Sequence, residues 1–370
     1  MEKMRIGDAC DILNGFAFKS DKYVEDGIRV IRIANVQKGY IEDNAPAFYP
    51  IDTSGLEKYM LEEGDLLMSL TGNVGRVAIL QSEMLPAALN QRVACLRLKT
   101  DKIIKGFLFH ILNSDFFEQQ CIQASNGVAQ KNMSTEWLKD FEIPLYSIEE
   151  QLKITGILDR TRGVICSRNE ELSLLDELIK ARFVELFGDL RTNTKGWEIK
   201  TFDELSYLIT DGEHATPRRS PEGIYLLSAR NVLNHSLQLD DVDYIDQEEY
   251  DRIAKRVVPQ EGDVLISCSG TVGRCCSVPA DFKFQMVRSA ALIRFKEEIN
   301  PIFAEYMITS DYLQEQINSS KTASSQANLF QGKIKALKGF VPPIELQNEF
   351  LMFVKQVDKS KFIYVLEDYL

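Results

Sequence analysis

From Ile148 to Phe187 apolar residues return at a heptad spacing: Leu158, Ile165, Leu172, Ile179 and Leu186, with Ile154, Leu175 and Phe183 widening the stripe. That period predicts one long amphipathic helix with a coiled-coil seam. The seam is imperfect, because Thr161, Arg168 and Arg182 stand where a pure seam would be apolar. At about 1.5 Å per residue a helix of this length makes a rod of roughly 60 Å. Gly188-Asp189 predicts its end, and Arg191-Thr192-Asn193-Thr194-Lys195-Gly196 reads as a polar linker. A second pattern of this kind starts near Ile344, with Phe350, Val357 and Tyr364 in the seam. Ahead of each helix the period changes. Gly64–Ser69, Val77–Leu80 and Val93–Leu98 are short aliphatic runs beside glycine-bearing turns and predict strands. Gly106–Gln120, with Phe107, Leu108, Ile111, Leu112, Phe116 and Phe117, has helical spacing.

These patterns occur twice. Glu63-Gly64-Asp65-Leu66-Leu67-Met68-Ser69-Leu70-Thr71-Gly72-Asn73-Val74-Gly75-Arg76 returns as Glu261-Gly262-Asp263-Val264-Leu265-Ile266-Ser267-Cys268-Ser269-Gly270-Thr271-Val272-Gly273-Arg274, without a gap. Flanking blocks follow in the same order. Ala34-Asn35-Val36 matches Arg230-Asn231-Val232, Ala94–Lys99 matches Ala291–Lys296, and Ile148-Glu149-Glu150-Gln151 matches Ile344-Glu345-Leu346-Gln347. The period is too long for a solenoid and indicates duplicated domains. The expected fold class is α+β: two similar mixed α/β domains, each followed by a long helix, the two helices pairing as an antiparallel coiled coil with pseudo-two-fold symmetry. The expected boundaries are 1–144 for the first domain, 145–190 for the first helix, 191–343 for linker and second domain, and 344–370 for the second helix.

Composition narrows the class. The chain has 370 residues, enough for two domains, and its 45% hydrophobic and 26% charged residues suit globular cores. No apolar run reaches membrane-span length, and the first residues lack the apolar core of a signal peptide, so the expected location is the cytoplasm. The seven cysteines are scattered without a Cys-x-x-Cys pair, and with three histidines they predict reduced thiols and no metal site. The net charge of −12 argues against a uniformly basic nucleic-acid binder, yet it leaves room for a basic groove between acidic faces. There is no GxxxxGK[ST] loop, no GxGxxG fingerprint and no second histidine at zincin spacing after Glu213-His214. Nor is there a glycine-rich motif followed by the Asn/Asp-Pro-Pro-aromatic motif of amino-methyltransferases. A binding protein is therefore expected rather than an enzyme.

Phe141-Glu142-Ile143-Pro144-Leu145-Tyr146-Ser147-Ile148-Glu149-Glu150-Gln151, then Leu186-Phe187-Gly188-Asp189 with Gly196-Trp197, and the doubled Gly-Asp block resemble the specificity subunit of type I restriction–modification systems. The resemblance covers nearly the whole chain. It implies two target recognition domains, each reading one half of a split, asymmetric site in double-stranded DNA, and helices that space the domains and dock methyltransferase subunits, two of them. It also implies restriction (translocase/nuclease) subunits as further partners. No cofactor is implied on this chain; S-adenosylmethionine, ATP and Mg belong on the partner subunits. The second helix is shorter than the family's pattern, which puts the second methyltransferase docking surface in doubt. A competing reading of that short helix and the acidic charge is a duplicate that no longer reads DNA and serves as a protein-interaction scaffold.

Candidate DNA contacts come from two sources. The shared loop offers hydroxyls, backbone N–H groups and a cation: Ser69, Thr71, Asn73 and Arg76, and again Ser267, Ser269, Thr271 and Arg274. Being shared, it suits scaffold or phosphate better than base sequence. Base reading belongs where the copies diverge, and Arg/Lys suit guanine as Asn/Gln suit adenine. The first domain offers Asn14, Lys19, Asn90, Gln91, Arg92, Gln130, Lys131 and Asn132. The second offers His214, Thr216, Arg218, Arg219, Arg230, Arg288, Ser289, Gln326 and Asn328.

Overall fold

A computed structural model describes residues 2–125, 132–319 and 328–367, the last six by backbone alone. Gln130, Lys131 and Gln326 lie outside the described residues, and the side chain of Tyr364 is not described. The chain divides into two compact units, residues 1–167 and 168–370, and the division falls inside the long helix.

Each unit contains the same sheet arrangement. In the first, a four-stranded antiparallel sheet runs in the order Cys10–Asn14, Val93–Leu98, Leu66–Ser69, Val77–Ile79. In the second the order is Ser206–Asp211, Ala290–Phe295, Val264–Ser267, Cys275–Ser277. Beside it lies a three-stranded sheet, Phe48–Tyr49, Ile28–Ile31, Ala87–Leu89 in one copy and Asp243–Ile245, Ile224–Leu227, Phe284–Met286 in the other. Its last two strands are parallel in both copies. A two-stranded ribbon ties the start of each domain to its end, Lys3–Arg5 with Glu142–Pro144 and Glu198–Thr201 with Lys338–Val341. The second copy adds a helix, Gln247–Ala254, and a hairpin, Val232–Leu233 with Ser236–Leu237.

The four-stranded sheet is buried on both faces, which is why its strands read as unbroken apolar runs. Successive side chains point to opposite faces. Leu66, Met68, Ala94 and Leu96 join the core under the helices, whereas Leu67, Val93 and Cys95 face the core shared with the three-stranded sheet. Val264, Ile266, Ala291 and Ile293 repeat the first face, and Leu265, Ala290 and Leu292 the second.

The helical segment Gly106–Gln120 is two helices, Lys105–Leu112 and Asp115–Ala124. Ser114 breaks it, because its hydroxyl accepts the Phe117 N–H at 3.2 Å and caps a new helix. The long helix spans Ile148–Phe187 as expected, and Gly188, at φ +78, ends it. The C-terminal helix spans Ile344–Glu367.

These two helices pack antiparallel in the second unit. Arg182 meets Glu349 and Asp176 meets Lys361, so the numbering falls along one helix as it rises along the other. Ile179, Phe183 and Phe187 pack with Phe350, Val354 and Val357. The seam is not buried throughout, however: Ile179 is fully buried, Leu172 and Leu186 are half-buried, and Leu158 and Ile165 are exposed. Six of the seven cysteines are buried and Cys166 is exposed; all are free thiols. No described helix is long and apolar enough to cross a membrane.

Residues shared by the copies have buried structural tasks. Asp65 takes a bidentate contact from Arg97 (2.8 and 2.7 Å), and Asp263 takes the same from Arg294 (2.7 and 2.8 Å). Both carboxylates also cap their own turns, accepting from Glu62 N and Gln260 N. Gln151 and Gln347 are fully buried and anchor each long helix to its domain. Gln151 joins Ile104 N, Lys102 O and Tyr146 O, and Gln347 joins Asn300 N, Glu298 O and Pro342 O.

Candidate nucleic-acid interface

The shared loop is a strutted turn. The Ser69 hydroxyl donates to Asn73 O (2.5 Å) and accepts from Arg76 N (3.0 Å); Ser267 donates to Thr271 O (2.7 Å) and accepts from Arg274 N (3.0 Å). Both serines are completely buried. Both hydroxyls are therefore engaged within the loop, which fits the scaffold side of the sequence expectation. The tips, Gly72-Asn73 and Gly270-Thr271, are exposed, and Gly72 and Gly270 both sit at φ +68, where a side chain would be strained. The Arg76 guanidinium donates to the Gln37 side chain, so part of its capacity is already used inside the domain.

A ladder of backbone hydrogen bonds gathers the diverging segments around this loop. In the first domain Gln91 N donates to Phe16 O (2.9 Å), Leu70 N to Arg92 O (3.0 Å), and Met133 N to Leu70 O (2.9 Å). In the second, Arg288 N donates to Glu213 O (3.1 Å), Cys268 N to Ser289 O (2.7 Å), and Leu329 N to Cys268 O (2.9 Å). Bridges between Thr71 and Asn132, and between Ser269 and Asn328, extend both ladders. The approach is close enough to need glycine. A Cβ on Gly15 would lie 2.2 Å from the Asn90 backbone, and one on Gly212 would lie 2.3 Å from Met286 O.

One edge of the first domain thus collects Asn14, Asn90, Gln91, Arg92, Thr71, Asn73 and Asn132, with Arg76 at the loop's base. Lys19 is exposed on the segment leaving that edge, just before the turn Ser20–Lys22. The equivalent edge of the second domain collects His214, Arg288, Ser269, Thr271 and Asn328, with Arg274 in the place of Arg76. Ser289 is there too, but its hydroxyl accepts the Ala229 N–H at 3.0 Å, so it holds the short turn Ala229–Asn231 that carries Arg230. Thr216, Arg218, Arg219 and Arg230 are exposed.

The two edges differ in charge state. Among the described residues Lys19, Arg76 and Arg92 of the first domain's edge and Arg274 and Arg288 of the second's make no ion pair, whereas His214, Arg218, Arg219 and Arg230 of the second domain are paired. His214 meets Asp211 at 2.7 Å, Arg219 meets Asp243 at 3.0 Å, and Arg230 lies 3.4 Å from both Asp241 and Asp243. Arg218 meets Glu248 (2.8 Å) and Asp246 (3.0 Å). Arg252, hydrogen-bonded to Glu249, holds that carboxyl below its ordinary range. The sequence reading did not single out Asp211 or Asp243. The available signal was the alignment of Asn14-Gly15-Phe16 with Asp211-Gly212-Glu213, which exchanges a neutral floor for an acidic one. Among the described residues no group of His, Cys, Asp and Glu is placed to hold a metal ion.

Comparison with known proteins places this duplicated architecture. A family model described as the type I restriction modification DNA specificity domain matches twice, over residues 1–173 and 195–364. The EcoBI type I restriction enzyme specificity subunit of Escherichia coli is 26% identical over 386 residues, covering 96% of this chain and 78% of that subunit. The MjaVIII specificity subunit of Methanocaldococcus jannaschii is 30% identical over 186 residues, covering 48% of this chain and 43% of its own length. In fold, the chain is similar to the type I restriction–modification S subunit from M. genitalium, with a TM-score of 0.57 over 99% of this chain and 91% of that one at 14% identity. With the family model spanning both copies, the chain belongs to the type I restriction–modification DNA specificity family.

Proposed function

We propose that this chain is the DNA-reading, non-catalytic subunit of a type I restriction–modification complex, and that each domain reads one half of a split, asymmetric site. The observation that carries the reading is the doubled backbone ladder: one scaffold presents Asn90-Gln91-Arg92 in the first domain and Val287-Arg288-Ser289 in the second. Backbone and loop contacts position a protein on phosphate, and diverging side chains read base edges. The helices are the surface for two methyltransferase subunits, and restriction subunits complete the complex in the cytoplasm. S-adenosylmethionine, ATP and Mg reside on those partners in this reading.

The test is methylome sequencing of a host carrying this chain with its methyltransferase. Adenine methylation is expected at a split motif, and exchanging residues 1–144 for those of a relative should change one half of it. A change in both halves, or in neither, defeats the reading.

A further inference from the structure

We infer that the recognition edge of the second domain is partly charge-compensated: its own carboxylates hold Arg219, Arg230, His214 and Arg256, cations that would otherwise grip any DNA, so that Asp243 and Asp211 are specificity-determining residues. The inference rests on the proposed DNA-reading role.

Asp243 lies between two arginines, 3.0 Å from Arg219 and 3.4 Å from Arg230. Asp211 ends the strand that leads into Gly212, at the centre of the backbone ladder, and holds both His214 (2.7 Å) and Arg256 (2.5 Å). The edge of the first domain is built otherwise. Asn14 occupies the position of Asp211, so a neutral side chain stands where the second edge has a carboxylate. The duplication thus supplies an internal comparison, one backbone with two charge arrangements.

The consequence follows from how proteins hold DNA. Each cation that neutralises a phosphate releases counterions whatever the sequence, so free arginines raise affinity for all DNA. An arginine held by a carboxylate contributes little of this term, and the carboxylate repels phosphate. These pairs are solvent-exposed, with Arg219 and Arg230 about half accessible, and exposed pairs are weak enough to exchange partners. A guanine edge offering two acceptors can replace the carboxylate on an arginine, and that gain is confined to the right base. Discrimination arises here by penalising wrong partners rather than by strengthening the right one.

The test compares Asp243→Asn with the unaltered chain, each purified with its methyltransferase subunits. Two duplexes are titrated: one carrying the site found by methylome sequencing and one with that site scrambled. The substitution frees Arg219 and leaves Arg230 with Asp241 alone, so binding to the scrambled duplex should tighten by about 3- to 10-fold. Its log-affinity against log-salt slope should steepen by about one, at about 0.9 per added phosphate contact. Discrimination should fall by the same factor. Asp241→Asn leaves Arg230 on Asp243 and frees no arginine, so its effect should be clearly smaller than that of Asp243→Asn. Asp203→Asn removes an equal charge from the pair with Lys335 at the far end of the strand bearing Asp211, and should change neither duplex. Unchanged or weakened binding of the scrambled duplex by Asp243→Asn overturns the inference, as does an equal gain from Asp203→Asn. If the unaltered complex binds neither duplex, the DNA-reading role itself fails and the inference falls with it. Matching thermal unfolding curves establish that the variants are folded.

Discussion

Gln347 is the residue through which the C-terminal helix is fixed to its domain. Its side chain is completely buried, with its oxygen accepting from Asn300 N at 2.8 Å and its amide donating to Glu298 O at 2.9 Å and Pro342 O at 2.7 Å. Asn300 in turn caps the helix Pro301–Thr309, its side-chain oxygen accepting from Ile302 N at 2.9 Å. Gln347→Met keeps the volume and removes these hydrogen bonds, leaving three backbone groups unpaired. A buried group left unsatisfied costs about 1–3 kcal/mol, and water regains access to some of them, so the expected loss is about 3–4 kcal/mol. For a domain of roughly 150–250 residues that lowers the midpoint of thermal unfolding by about 6–16 °C. Urea or thermal unfolding of the full chain, followed by circular dichroism, measures it. Gln151→Met should destabilise the first domain comparably, since Ile104 N, Lys102 O and Tyr146 O are held in the same way. A loss below about 1 kcal/mol from Gln347→Met would refute the reasoning, because the amide would then be replaceable by packing alone.

Asp263→Ala should cost about 2–4 kcal/mol in the same unfolding assay, since the carboxylate is buried and Arg294 would lose its bidentate partner. Asp263→Leu combined with Arg294→Met should recover a large part of that loss, because no buried charge then lacks a partner. Gly212→Ala should cost about 1–3 kcal/mol, since its Cβ would meet Met286 O at 2.3 Å. By displacing the ladder it should also abolish reading of one half-site and leave the other intact, as scored by methylome sequencing.

Long-range order was legible where a local period recorded it. The heptad pattern and Gly188 set both ends of the first long helix, because apolar spacing and a positive-φ stop are local properties. The same period failed at Ser114: the apolar spacing runs on from Leu112 to Phe116, while a serine side chain restarts the helix. It also failed along the seam, since periodicity identifies a face and not what covers it, and Leu158 and Ile165 are exposed. At the candidate site, the divergent segments Asn90–Arg92 and Arg288 lie beside the shared loop, a juxtaposition that no local period records. Residue chemistry alone did not separate the possible roles of Ser69, Ser267 and Ser289, because a hydroxyl that suits phosphate equally suits a backbone N–H. The pairing of Arg219 with Asp243, or of Arg256 with Asp211, joins residues far apart in sequence and leaves no local trace.

The duplication separates two kinds of constraint that a single domain would have mixed. Residues held in common, Asp65 and Asp263, Arg97 and Arg294, Gln151 and Gln347, act on buried backbone, and any change there is felt by the fold. The side chains on the ladder are held by main-chain hydrogen bonds that do not depend on their identity. Asn14 can stand opposite Asp211, and Gln91 opposite Arg288, without altering a strand. Chemistry at the edge is therefore free to vary while its position is fixed. That condition is what the proposed reading of two unlike half-sites requires, and it is also what allows Asn14 in one copy and Asp211 in the other on the same backbone.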